Sequence, residues 1–204
     1  MKGRLRMRAV REDGEFVELA EDGTWKFLST ASDKGDEGFR GVRWGTPPEV
    51  AKEREGAAPS EEIGNVLYWA DSRLGALSSD IAYIYANNIL VRAKYLVSER
   101  WVNENRYIME FNSLKKMLTK KYGNPDKDDE FWNNLLWKDD YDDWGKAVQE
   151  GHLSMYSTWI SGGTRVILSL DGENYSSSLG IEYTSLKLES IEDNLKENEF
   201  LELL

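Results

Sequence analysis

Apolar positions along the chain follow two periods. Between residues 105 and 122, Tyr107, Phe111, Leu114, Leu118 and Tyr122 recur at helical spacing, and Ile108 and Met117 widen the stripe. This predicts a long amphipathic helix from Asn105 to Tyr122. Lys115, Lys116, Lys120 and Lys121 suit its C-terminal end through the helix dipole, and Gly123-Asn124-Pro125 stops it as a left-handed cap followed by proline. On either side the pattern shortens to strand-like runs. One group is 66–70, 80–86 and 89–98, with Asn87-Asn88 as the tight turn between the last two. The other is 152–160, 164–170 and 176–184, joined by Ser161-Gly162-Gly163 and Asp171-Gly172. Tyr83, Tyr85 and Tyr95 are expected to pack across adjacent strands.

The first 28 residues read as short strands around Asp13-Gly14 and Asp22-Gly23, where glycine gives a hairpin its positive φ. Phe16, Val17 and Leu19, then Trp25 and Phe27, supply the strand formers. Lys2, Arg4, Arg6 and Arg8 lie at period two, on one face of a strand. They form either a charged edge that discourages pairing or a basic strip that docks an acidic surface, such as segment 126–143 of the same or another copy. Residues 29–38 contain nothing to bury and read as a linker. A short helix follows, in which Thr46 caps, Pro47 takes the first position, Glu49 completes a capping box and Gly56 ends the helix. Ile191, Leu195 and Phe200 predict an inward face for a last helix. The expected fold class is α+β: antiparallel β-meanders packed on one long amphipathic helix, with a short capped helix and a small N-terminal β-hairpin. Residues 1–28 are then a hairpin appendage, 29–38 a linker and 39–204 a single domain.

The 204 residues carry a net charge of -11, which repels phosphate backbones and argues against nucleic-acid partners. No apolar run approaches the ~20 residues that cross a bilayer, so no membrane insertion is expected. The chain reads as cytoplasmic as it stands, and as periplasmic or exported if a leader once preceded it. With no Cys and one His, at position 152, there is no thiolate nucleophile, no cysteine metal site and no common zinc site.

Segment 126–143, DKDDEFWNNLLWKDDYDD, holds eight carboxylates among four aromatic rings, with Trp144 next. Density of both kinds predicts a solvated acidic loop anchored by Trp132, Trp137 and Trp144, with Asp139, Asp140, Asp142 and Asp143 pointing to solvent. An EF-hand count from Asp140 places Asp142 at position 3 and Gly145 at position 6. It then fails, because Trp144 stands at position 5 and Gly151 at position 12. A weak divalent-cation site is conceivable here but not expected, and no cofactor is implied. His152 has Ser154, Ser157 and Asp143 nearby in sequence, yet strand alternation does not assemble a triad from them, so it reads as a structural, hydrogen-bonded His. Carboxylates could also run glycoside hydrolysis, although 37 acids make chance pairs unavoidable.

Two pieces resemble bacterial families. VREDGEFVELAEDGTWKFL is similar to the DGTW-type hairpin that opens many bacterial proteins, often exported ones of unknown role. FRGVRWGTPPEVAKEREG is similar to the capped helix of SmpA/OmlA-type outer-membrane assembly lipoproteins, on Gly45, Thr46, Glu49, Val50 and Gly56. No proline follows Gly56 at the expected place, and the lipid-bearing Cys is absent. The resemblance covers about 40 residues, implies a bacterial α+β domain with a link to the cell envelope, and transfers no catalytic residue.

The functional expectation is a non-catalytic binding or protein-interaction module. Asp139, Asp140, Asp142, Asp143 and Trp144 are its contact residues, and a basic protein or a second copy is its partner. The alternative is a carboxylate-dependent hydrolase acting on a glycan. Protease is expected to cut residues 29–38 readily, since nothing there offsets the entropy of ordering. Deleting residues 1–36 is expected to leave the near-UV circular dichroism of the remainder intact. Loss of that signal with aggregation would place the hairpin in the core sheet.

Overall fold

The computed structural model describes residues 8–10, 16–19, 25–27 and 38–194. The Asp-Gly turns near the N-terminus, almost all of the 29–38 linker, and Leu195 and Phe200 of the tail lie outside these residues. Strands β1 (Arg8–Val10), β2 (Phe16–Leu19) and β3 (Trp25–Phe27) pair antiparallel in that order. A two-residue ladder follows, β4 (Gly38–Phe39) against β5 (Val42–Arg43). Its turn places Arg40 at φ 53° and Gly41 at φ 85°.

The body is one antiparallel sheet of eight strands. One meander supplies β6 (Glu61–Ile63), β7 (Val66–Leu74), β8 (Leu77–Ala86) and β9 (Ile89–Val97). The other supplies β10 (Lys127–Trp132), β11 (Leu153–Ser161), β12 (Thr164–Glu173) and β13 (Ser176–Ser185). They join through β13 and β9, giving the order β10-β11-β12-β13-β9-β8-β7-β6. Register then makes one face continuous. Met155, Leu170, Leu179 and Ser157, Leu168, Ile181 line up in rows, and Ile181 reaches Ile81 through Tyr95. This inner face carries the core.

Helix α1 (Pro48–Glu55) and helix α2 (Asn105–Tyr122) both cover that face. On α2 the buried positions are Tyr107, Ile108, Phe111, Leu114 and Leu118. Met117 is 64% exposed, so it does not belong to the stripe. The helix ends at Gly123 with φ 90° and ψ -169°, a glycine-only conformation outside the left-handed helical region expected there. A third helix, α3 (Trp144–Gln149), packs between α2 and β12. Residues 189–194 form a helical turn on the opposite face, where Glu189 pairs with Arg165 and Glu192 with Arg92.

Several local expectations are corrected. Thr46 does not cap α1. Its hydroxyl donates to Arg43 O at 2.8 Å, and Pro47 occupies the N-cap with no side-chain cap bond, so no capping box forms. Gly56 ends the helix as expected, at φ 68°. Asn87-Asn88 and Gly162-Gly163 form their turns with positive φ, whereas the last hairpin turns at Asn174-Tyr175 instead of Asp171-Gly172. Gly172 serves a close approach, since a Cβ there would meet Val148 O of α3 at 2.3 Å.

Leu118 sits 6% exposed on the α2 face that meets the sheet. Leu118→Ala is expected to cost ~2–5 kcal/mol in denaturant melts through lost burial and a residual cavity. A loss below ~1 kcal/mol would contradict its place in the core.

Candidate functional site

The acidic segment is partly strand. Aspartate and glutamate are poor strand formers, yet Lys127–Trp132 pairs with β11 along its whole length, as the edge of the sheet. Alternation sends Asp128, Glu130 and Trp132 to the inner face, opposite Ser157, Met155 and Leu153. Asp129 and Phe131 go to the outer face, where Phe131 meets Tyr156 edge-on at 5.8 Å. Asp128 is held on both sides: the buried Ser157 hydroxyl donates to it at 2.7 Å, and Lys115 of α2 at 3.2 Å. Between α2 and β10 lies an open cleft of about 290 Å³. Phe111 and Met155 form its apolar part, and Lys115, Asp128, Asp129 and Glu130 its polar part.

Beyond β10 the chain forms a loop, a turn of 3-10 helix at Tyr141–Asp143, and α3. Three tryptophans tie it down, each partly buried and packed against the core. Trp137 donates to Glu150 Oε2 at 2.9 Å and lies under the Lys146 ammonium at 4.0 Å. Trp132 and Trp144 meet edge to face at 5.3 Å, and Trp144 donates to Lys138 O at 3.1 Å. The Asn105 side chain bridges to α2, donating to Tyr141 O and accepting from Gly145 N–H. Asp140 accepts from Asp142 N–H at 3.1 Å and so caps the 3-10 turn.

Of the five expected contact residues, Asp139, Asp140 and Asp142 are exposed on one short stretch. Asp143 and Trp144 are half-buried, at the junction where the 3-10 turn runs into α3. Leu135, Leu136 and Tyr141 stand beside the exposed acids and are 64%, 66% and 53% exposed. The Leu-Leu pair was not foreseen as contact material, although two leucines in so charged a stretch are its signal in the sequence. His152 packs against the base of this loop, its Nδ1 3.6 Å from Glu150 and its Nε2 3.5 Å from the Asn134 amide.

A second polar cluster lies on the inner face. Arg40 donates two hydrogen bonds to Glu55, at 2.8 and 3.0 Å, and a third to the Tyr95 hydroxyl. The Tyr83 hydroxyl donates to Glu55 at 2.6 Å. Tyr83 and Tyr95 reach each other through Phe39, which meets them at 5.3 and 4.9 Å. Burial pushes the Glu55 carboxyl up, but the bonds from Arg40 and Tyr83 outweigh it and hold the group below its ordinary range. Its partners match one another within the protein, so the cluster clamps α1 to the sheet. A glycan hydrolase would need two acids facing across a cleft with one of them desolvated. Asp128 and Glu130 share one strand and one face. The Asp171 carboxyl, which burial pushes up against the pull of Lys94, stands on the outer face. No group of three or more metal-ligating side chains is found among the described residues.

No family model matches the chain, and no curated protein matches it. Among solved structures, a DUF4309 family protein (YjgB) from Bacillus subtilis subsp. subtilis str. 168 is similar at 8% identity with a TM-score of 0.39. The match covers 69% of this chain and 78% of that one. Nothing in these comparisons bears on the SmpA/OmlA resemblance.

A Cβ on Gly145 would lie 2.2 Å from the Glu104 carbonyl carbon. Gly145→Ala is therefore expected to destabilise by at least ~1–3 kcal/mol in denaturant melts and to loosen the loop against α2. Unchanged stability would mean that α3 approaches α2 less closely. Glu55 has a depressed folded pKa, so its contribution to stability is full above its unfolded pKa of about 4.3 and fades as pH falls through the folded value. Glu55→Gln is expected to cost most at neutral pH and least in acid, where wild-type Glu55 is itself protonated. A stability difference independent of pH would remove the ion pair from this account.

Proposed function

We propose that this protein is a non-catalytic interaction module whose contact surface is the loop between β10 and α3. One observation carries the reading: Leu135, Leu136 and Tyr141 stand exposed beside Asp139, Asp140 and Asp142 on a loop whose backbone three tryptophans and Asn105 hold in place. Apolar side chains held out on a pinned loop lower the ordering cost of binding. The surrounding acids, in a chain of net charge -11, select a basic partner. The wholly structural character of the recognisable motifs supports a module over an enzyme, and the carboxylate-hydrolase alternative draws no comparable support from the cleft.

Capture of a basic partner by the immobilised protein is expected to weaken steeply as salt rises. It is expected to fail for Asp139→Lys combined with Asp140→Lys, and for Leu135→Ser combined with Leu136→Ser. A monomer that captures nothing and turns over a substrate would overturn the reading. Millimolar Ca²⁺ is expected to leave the melting temperature essentially unchanged. A rise abolished by Asp140→Asn together with Asp142→Asn would instead place a cation in the loop.

A further inference from the structure

β10 is an open edge, for among the described residues no strand pairs its far side. The parity of the ladder sets what that edge offers. Asn133 N–H donates to His152 O, so residues 129, 131 and 133 turn their backbone groups toward β11. Asp128 and Glu130 then turn their N–H and C=O groups outward while their side chains face the cleft. A strand added at this edge would pair with Asp128 and Glu130. Its side chains at alternate positions would enter the cleft beside those two carboxylates, with Phe111 and Met155 against their stems.

Charge chooses the occupant. Acids blunt an edge against another copy of itself, because like charges would face each other. The same acids favour a strand with a basic residue at every second position, whose long aliphatic stems can lie along apolar walls. Lys115 is engaged by Asp128, which leaves Glu130 as the inner-face carboxylate to be met. The chain itself carries a sequence of that pattern, with Lys2, Arg4, Arg6 and Arg8 at period two. Among the described residues β1, which begins at Arg8, pairs only with β2.

We infer that the β10 edge and its cleft receive the basic N-terminal segment of a second copy as an added antiparallel or parallel strand. This rests on the reading of the acidic segment as a contact surface and names a different part of it from the loop.

Sedimentation velocity of the full chain over a wide concentration range tests it. The wild type is expected to self-associate in a salt-sensitive way. Arg4→Glu with Arg6→Glu, and separately Glu130→Arg, are each expected to weaken association by about tenfold or more. Mixing the two variants restores it, since the swapped charges complement one another. Glu130→Pro separates backbone pairing from plain attraction: an edge whose N–H faces solvent tolerates proline, but an added strand needs that N–H. It is expected to abolish association where Glu130→Ala only weakens it, with near-UV circular dichroism confirming that both variants are folded. A wild type that stays monomeric at every concentration overturns the inference, as does association that survives both charge swaps, or equal effects of Pro and Ala. If the loop still captures a basic partner while the chain stays monomeric, the second copy is removed and the proposed function stands.

Discussion

The antiparallel pairing of β13 with β9 is the contact on which the architecture depends. Without it the protein would be two four-stranded meanders, each with a half-covered apolar face. With it, a row of side chains runs unbroken from Ser157 on β11 through Leu168, Ile181, Tyr95 and Ile81 to Trp69 on β7, and a single core becomes possible. Gly180 sits at this joint, opposite Leu96, where a Cβ would come within 2.9 Å of Tyr95 O. Helices can cover the seam only because the two halves present the same face. α1 is clamped to one half by Arg40, Glu55 and Tyr83, and α2 and α3 lie across the other.

Among the described residues that arrangement leaves two open edges, and they are managed differently. β6 is short and begins with Glu61 and Glu62, the kind of brief, charged strand that discourages pairing. β10 is twice as long and carries acids too, but it borders a cleft with apolar walls and leads directly into the pinned aromatic loop. The proposed contact surface lies at this end of the sheet for a physical reason. Here the backbone is unsatisfied, the apolar surface is exposed and the charge has one sign.

Much of this was legible along the chain. The α2 stripe, the Asn87-Asn88 turn and the Gly162-Gly163 turn are local matters, settled by side-chain spacing and by which residues tolerate positive φ. The tryptophan-anchored character of the 126–144 segment was legible as well, because such a density of rings has to pack somewhere. Where local reasoning failed, a distant group intervened. Gly172 read as a turn and instead admits α3. Thr46 read as a cap and instead bonds Arg43. Asp128 and Glu130 read as loop and are held in a strand by β11.

By itself, then, the sequence determined an α+β chain of antiparallel hairpins around a long amphipathic helix. It also determined a strongly acidic surface and the lack of thiol or histidine-pair chemistry. Only the tertiary structure decided that the two meanders share one sheet, that the acidic run becomes its edge, and that Leu135 and Leu136 stay outside the core. Propensity and periodicity act over a few residues. The partners of β9 and β10, and whatever covers each leucine, come from segments tens of residues away, and only the packed chain brings these together.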